Sequence, residues 1–151
     1  ASQGLRVDAL DVSAVAIAQA ANAAISQQLR VNWQCSDVLK FSHRQPQNAY
    51  VLVIMFRFVA PRLLPQLLQA LTPSGVLVLE EHLQWDGAEE ISGPGGNRFR
   101  VAAGELLRQL KAARVGFDVV DQFEGLAPEP AEDGLPVRAA VARMCIRRSS
   151  T

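Results

Sequence analysis

The sequence predicts an α/β fold, a doubly wound and mostly parallel sheet that ends in an antiparallel hairpin. Three observations carry this. Two continuous apolar runs, "AYVLVIMF" at 49–56 and "VLVLEEH" at 76–82, are rich in aliphatic and β-branched side chains, as strands covered on both faces are. Helical and strand patterns alternate along the chain, which is how parallel strands are connected. The last two strand patterns, 117–125 and 137–148, are joined by the Pro- and acid-rich "LAPEPAEDGLP", a long hairpin-like connection.

Taken in order, residues 5–10 form a short apolar run broken by Arg6 and Asp8, as in a strand near a sheet edge. "SAVAIAQAANAAISQQL", 13–29, predicts a helix capped by Ser13, with Val15, Ile17, Ala18, Ala21, Ala24 and Ile25 as its apolar stripe. "VNWQCSD", 31–37, alternates Val31, Trp33 and Cys35 with polar residues and reads as a half-buried strand. Between the two apolar runs, "PRLLPQLLQAL" at 61–71 is an amphipathic helix with Pro61 in its first turn and "TPSG" closing it. The stretch 83–100 has no period, and loops of that length are usually functional or disordered. A second amphipathic helix is predicted over 101–115.

With 151 residues, 49% apolar and 20% charged, the chain suits one globular domain over 1–151. Fifteen basic and fifteen acidic side chains balance, so no electrostatic footprint points to nucleic acid, an anionic membrane or a charged protein partner. The basic run "RMCIRRSS", 143–150, reads as the solvated end of a last strand. Cys35 and Cys145 fit no metal spacing and are expected as buried free thiols, consistent with the cytoplasm or an organellar matrix. No run of about 18 apolar residues predicts a membrane span.

In this setting "ALDVS" closes a strand on Asp11, "SDVL" follows the next strand, and "SGPGGNRFRVAAGELLRQL" runs through a glycine-rich loop into a Gly-Glu-Leu helix start. These residues, with their order of elements, resemble the class I S-adenosylmethionine-dependent methyltransferases, and within them the small tellurite-resistance-like branch. The resemblance covers nearly all of residues 4–148 and implies a Rossmann-like sheet read from that family's second strand to its seventh. It implies S-adenosylmethionine as cofactor and methyl transfer to a small-molecule acceptor, with a macromolecular one left open. It assigns Asp11, beside Val12, to the cofactor ribose, and Asp37 with Val38 to the adenine. Phe56 and Arg57 would face the methyl donor, and Phe58, Asn97 and Arg98 the acceptor.

Two departures stand beside the resemblance. The family usually has aspartate where Val51 follows Tyr50, and the first central strand with its Gly-x-Gly turn is missing from the sequence. An upstream segment or a partner chain is therefore expected to complete the sheet, because unpaired strand edges in an apolar interior are avoided. "SGPGGN" does not replace that turn, since ten residues separate His82 from Gly93 and a ligand-cradling turn directly follows its strand. Its glycines are expected to serve loop flexibility. The alternative of a different class is a degenerate, non-catalytic methyltransferase fold acting as a scaffold or assembly factor.

For catalysis the candidates are Glu81 and His82, in the polar cluster Glu80–Glu81–His82 that ends a buried strand where open α/β sheets place their ligand crevice. His82 suits a general base because its ordinary pKa lies near neutrality. Each candidate has a plainer reading: Asp11 as a helix-capping carboxylate, Asp37 as a turn former, the Glu-Glu-His cluster as a solvated strand end. Asn97 and Arg98 are then ordinary loop residues, Phe56 and Phe58 core, and His43 a surface histidine.

Overall fold

The computed structural model describes residues 1–41, 46–130 and 136–150, and within them the chain divides into two units, Ala1–Gln45 and Pro46–Thr151. His43 and the centre of the expected hairpin turn, 131–135, lie outside the described residues.

The first unit is β1 (Asp8–Asp11), α1 (Ala14–Ser26), β2 (Asn32–Cys35) and one turn of helix, α2 (Val38–Phe41). β1 and β2 pair in parallel, Asp8 opposite Asn32 through Asp11 opposite Cys35, with α1 as the crossover. Ser13 caps α1 as expected, its Oγ accepting the Ala16 N–H at 3.2 Å. The apolar stripe is narrower than predicted. A two-stranded sheet of four-residue strands offers little surface, so Ala24 is buried while Val15, Ala18 and Ile25 face outward. Cys35 also differs from expectation: it is free and exposed at the end of β2, donating to the Val12 carbonyl at 3.6 Å.

The second unit holds β3 (Tyr50–Phe56), a 3₁₀ turn (Pro61–Leu63), α3 (Leu64–Ala70), β4 (Leu71–His82), a second 3₁₀ turn (Asn97–Phe99), α4 (Glu105–Lys111), β5 (Phe117–Pro130) and β6 (Pro136–Arg148). Its sheet has the order β3-β4-β6-β5: β3 runs parallel to β4, while β4–β6 and β6–β5 are antiparallel. The α/β class and the closing antiparallel hairpin are as the sequence predicts, but this sheet is mixed, with one parallel and two antiparallel pairings, rather than mostly parallel. The hairpin strands are longer than expected, pairing from Phe117–Arg148 out to Pro130–Pro136.

Burial along β4 alternates with period two, as the pleat requires. Leu77, Leu79, Glu81 and Leu83 point into the core, where Leu64 and Leu68 of α3, Leu106 and Leu110 of α4 and Ile146 of β6 meet them. Each leucine so buried contributes roughly 1.5–3 kcal/mol. Val76, Val78, Glu80 and His82 point to the other face and are half-buried.

The expectation that β3 is covered on both faces is not met within this unit. Val53 and Met55 face the core with Leu77 and Leu79, but Leu52, Ile54 and Phe56 share the face of Val76, Val78 and Glu80 and are exposed. Both helices pack on the core side, and β3 is an edge strand among the described residues. Cys145, free and half-buried, lies on the same face opposite Val78; this face carries neither α3 nor α4 and is in that sense the helix-free face of the unit.

α3 passes straight into β4, and "TPSG" forms a bulge in the pairing between Tyr50–Leu71 and Leu52–Val76. Gly75 is needed there, since a Cβ would meet the Thr72 and Tyr50 carbonyl oxygens at 2.9 and 3.0 Å. α4 starts later than predicted because Val101, fully buried, pairs with Leu83 in strand fashion. The helix begins after Gly104, and the Glu105 Oε2 accepts the Ala102 N–H at 2.9 Å. No helix of the described residues is long and apolar enough to cross a membrane.

Candidate functional site

In the first unit the carboxyl end of β1 presents Asp11 at the turn into α1. Its Oδ1 accepts the Ser13 N–H at 2.7 Å, so the carboxylate is fixed in direction while the residue stays exposed. Val12 beside it is exposed at 73%. At the end of β2, Asp37 holds α2 in the same manner, its Oδ1 accepting the Leu39 N–H at 2.9 Å, and Val38 is half-buried. The parallel pairing thus brings two turn-holding aspartates, each followed by a valine, to the carboxyl ends of neighbouring strands.

In the second unit the ends of β3 and β4 build a denser arrangement. Arg57 follows the last residue of β3 with φ 55°, a left-handed conformation that non-glycine residues rarely adopt and that recurs at functional sites. Its N–H still donates to the Glu80 carbonyl at 2.8 Å, so the backbone leaves the ladder only after that bond. The turn sends the side chain onto the helix-free face. There Nε donates to Glu80 Oε1 at 2.9 Å, and Nη1 lies 2.9 Å from both ring nitrogens of His82. Nη2 donates to Glu129 Oε1 at 2.9 Å. Glu80 is also bound by Arg143, its partner across the β4–β6 pairing.

Glu129 lies near the end of the long hairpin and ties two further segments to this end of the sheet. Its Oε2 accepts the Ser92 hydroxyl at 2.6 Å, and Ser92 N–H donates to the Arg138 carbonyl at 2.8 Å. The irregular stretch 83–100 is thereby ordered. Its main staple is Arg100, buried at 8% exposure, whose guanidinium donates to the carbonyls of Pro94, Leu83 and Ser92 at 3.1–3.3 Å. Gly93, with φ 103°, comes so close to His82 that a Cβ would lie 2.6 Å from its Cε1.

Glu81 stands apart from its neighbours. The pleat turns it into the core, where it is fully buried. Oε1 accepts the Phe58 N–H at 3.2 Å, and Oε2 has no hydrogen-bond partner. Burial pushes its carboxyl up to about 7, against the lowering effect of the Phe58 bond and the Arg57 charge. For Glu80, burial acts upward too, but the hydrogen bonds from Arg143 and Arg57 outweigh it and hold the carboxyl below its ordinary range. His82 is held below its ordinary value first by burial and then by the Arg57 and Arg100 charges, which Glu129 and Glu80 partly oppose.

Among the residues singled out in the sequence, Arg57 and His82 are therefore in contact, while Glu81 touches the backbone of Phe58 from the other face. Phe56 and Phe58 are exposed at 57% and 38%. Asn97 and Arg98 sit in the exposed 3₁₀ turn, with the Arg98 guanidinium 4.3 Å from the centre of the Phe99 ring. Sequence reasoning missed Arg100, Ser92 and Glu129. Nothing in a single sequence distinguishes buried Arg100 from exposed Arg98 in "NRFR", and Glu129 reaches the site only through the hairpin register.

No protein-family model matches the chain. No curated protein matches it either. Solved structures share its fold. TehB from Haemophilus influenzae matches with a TM-score of 0.71 at 16% identity, over 97% of this chain and 50% of its own. The (4+2)-cyclase SpnF matches at 0.68 and 18% identity, over 97% and 67% respectively. An S-adenosylmethionine-dependent methyltransferase from Mesorhizobium loti matches at 0.62 and 19% identity, over 95% and 80%. The fold is that of the class I S-adenosylmethionine-dependent methyltransferases, and the chain spans half the length of TehB.

Proposed function

We propose that the chain is part of a class I S-adenosylmethionine-dependent methyltransferase of the small tellurite-resistance-like branch, transferring a methyl group to a small-molecule acceptor. The observation that carries this reading is the fold likeness extending over nearly the whole chain, the named methyltransferase among its matches. Fold alone hosts many reactions. Residue-level support comes from Asp11, an exposed, directionally fixed carboxylate at the carboxyl end of a parallel strand.

The residues of the first unit fit an adenosine group. A carboxylate with one oxygen engaged by Ser13 N–H retains acceptor capacity for a pair of ribose hydroxyls. Val12, and Val38 with Asp37, supply apolar contact and an acceptor for a base. When bound, S-adenosylmethionine supplies an activated methyl group on a sulfonium. The chain's own residues position the acceptor and manage its proton. In this reading Phe56 and Arg57 face the cofactor, Phe58 the acceptor, and Asn97 and Arg98 close over it. His82, kept neutral by burial and by two arginines, is the proposed base. Because Arg57 Nη1 lies 2.9 Å from both ring nitrogens, the ring takes the acceptor's proton only once that guanidinium has moved off it. Glu81 holds the Phe58 turn, and its carboxyl near neutrality is the second group able to exchange a proton.

The same reading supplies the missing central strand and glycine turn from chain preceding Ala1. Its support is the edge position of β3 and the exposure of Val51, Ile54 and Phe56. Calorimetric titration with S-adenosylhomocysteine tests it on residues 1–151 and on a version extended upstream by a βα unit. Binding only by the extended chain is the expected result. Failure of the extended chain to bind overturns the methyltransferase reading, and tight binding by residues 1–151 overturns the need for the added strand.

A further inference from the structure

Glu81 is a buried acid with one oxygen bonded and the other bare. The pleat points it into the leucine row with Leu79 and Leu83, where it is fully buried. Oε1 accepts the Phe58 N–H at 3.2 Å, and Oε2 has no hydrogen-bond partner. A neutral carboxyl group suits that setting, because it carries no charge and its accepting oxygen is engaged. A carboxylate does not, since a buried charge needs donors that Oε2 lacks.

The N–H it holds belongs to the turn after β3. Arg57 is left-handed there, with φ 55°, and its own N–H donates to the Glu80 carbonyl at 2.8 Å. Phe58 comes next, and its carbonyl accepts the Ala60 N–H at 2.8 Å before the 3₁₀ turn begins at Pro61. The Glu81 side chain therefore ties a strained turn, exposed at Phe58, to the core. The charged groups that bear on Glu81 are Arg57 in that turn and Glu80 beside it in β4. Ala142, opposite it in β6, is buried and apolar, and α3 carries no ionisable side chain. In α4, Arg108 and Lys111 are exposed, and Glu105 is bound to the Ala102 N–H. Burial outweighs the Phe58 bond and the Arg57 charge and moves the Glu81 carboxyl from 4.5 to about 7.

We propose that Glu81 is a proton-operated latch on the Arg57–Phe58 turn: the neutral acid holds the turn closed, and its ionisation releases it. On release the proton passes from Oε2 to water, the carboxylate becomes hydrated, and the Phe58 N–H loses its acceptor. The closed turn is the form with the raised value, so its advantage is complete below 4.5 and is lost as pH rises to about 7. The latch acts through the bonding of Glu81 itself and needs neither cofactor nor acceptor. It sets the pH range over which the backbone carrying Arg57 and Phe58 keeps one conformation.

The test is native-state hydrogen exchange of the Phe58 amide, followed by NMR and corrected for the intrinsic pH dependence of exchange. Between pH 5 and pH 8 its protection is expected to fall on the order of 70-fold, the ratio set by an open value of 4.5 and a closed value of about 7. The fall should be insensitive to low urea, because a local opening exposes little surface, while the β4 amides respond to urea. Glu81→Gln keeps the acceptor and the neutral state, so Phe58 should stay protected at every pH. Glu81→Leu removes the acceptor, and protection should be low at every pH. His82, with its value lowered from 6.5, is the other group near this range, and His82→Gln should leave the Phe58 profile as in the parent. Circular dichroism checks that each variant is folded, and the parent's own pH series keeps the test open if Glu81→Leu is not. A flat Phe58 profile in the parent overturns the latch. So does one that persists in Glu81→Gln, disappears in His82→Gln, or follows urea as the β4 amides do. The readout needs no ligand, so a failure of S-adenosylhomocysteine binding would sink the proposed function without touching this result.

Discussion

Glu80 and Glu81 are adjacent in the chain and lie on opposite faces of the sheet. Glu80 is half-buried on the helix-free face between Arg57 and Arg143, whose hydrogen bonds overcome burial and keep it ionised. Glu81 is fully buried in the leucine row, bound by one backbone N–H, with its carboxyl pushed up to about 7. One residue of pleat separates an anion held by two cations from an acid that is half protonated near neutrality. Opposite pH dependences follow.

Glu81 has its folded value raised from 4.5 to about 7, so the folded state binds more protons than the unfolded state in that window. Its contribution to stability is greatest below the unfolded value and is lost as pH rises through the folded one. The full effect is on the order of 3 kcal/mol. Glu81→Gln removes the slope, so urea unfolding should find the variant gaining on the parent between pH 5 and pH 8. A constant gap between the two would refute this.

Glu80 behaves in the reverse sense, because its folded value is depressed. The stability it provides is present above its unfolded value of 4.5 and is lost as pH falls through the lowered one. Glu80→Gln should cost about 1–2 kcal/mol at pH 7, between the values for exposed and buried pairs. Parent and variant should converge at strongly acidic pH in thermal melts.

Arg100 places its guanidinium among three loop carbonyls, so Arg100→Met leaves acceptors without donors in a buried setting. A loss of about 2–3 kcal/mol is expected. Hydrogen exchange should show faster opening confined to 83–100, with β5 and β6 protected as before. Uniform loss of protection would mean that the loop is not a separate closing element.

Asp11 is assigned both a turn and a ribose, and two substitutions separate them. Asn keeps the side-chain acceptor for Ser13 N–H and so should preserve α1, whereas Ala removes it, at a cost of about 1 kcal/mol. If the carboxylate also holds the ribose, both variants should weaken S-adenosylhomocysteine binding by the extended chain about tenfold or more, as expected for a lost charge-assisted hydrogen bond. Normal binding by Asp11→Asn would leave Asp11 a residue that only holds the turn into α1.

Ile54, exposed at 58% on the helix-free face, reports on what covers β3. In residues 1–151 Ile54→Lys should change stability by no more than about 0.5 kcal/mol, as at an ordinary surface site. In the extended chain the same change should cost about 2 kcal/mol, because burying an aliphatic side chain is worth that much. Equal effects in both chains would show that the added segment does not reach this face.

The elements were legible because their signals are local. Ser13 capping, the "VLVIMF" and "VLVLEEH" runs and the paired strand patterns at the carboxyl end each reflect the conformational preferences of neighbouring residues. Boundaries shifted where a non-local contact intervened. Val101 was drawn from the predicted helix into a bridge with Leu83, and "TPSG" from a helix stop into a bulge within β4. The buried state of Cys35 and the full stripe of α1 were misjudged because periodicity states which residues share a face, not what covers that face.

What the sequence by itself determined is the order and type of the elements, the alternation that carries Glu80 and His82 to one face and Glu81 to the other, and the acidic residue closing β1. Tertiary structure alone decided the rest. The hairpin register brought Glu129 to Arg57, 72 residues away. The loop's path set Gly93 against His82 and buried Arg100 while leaving Arg98 exposed. The physical reason is that propensity and periodicity act over a few residues, whereas burial and ion pairing depend on which distant segment arrives at a given side chain.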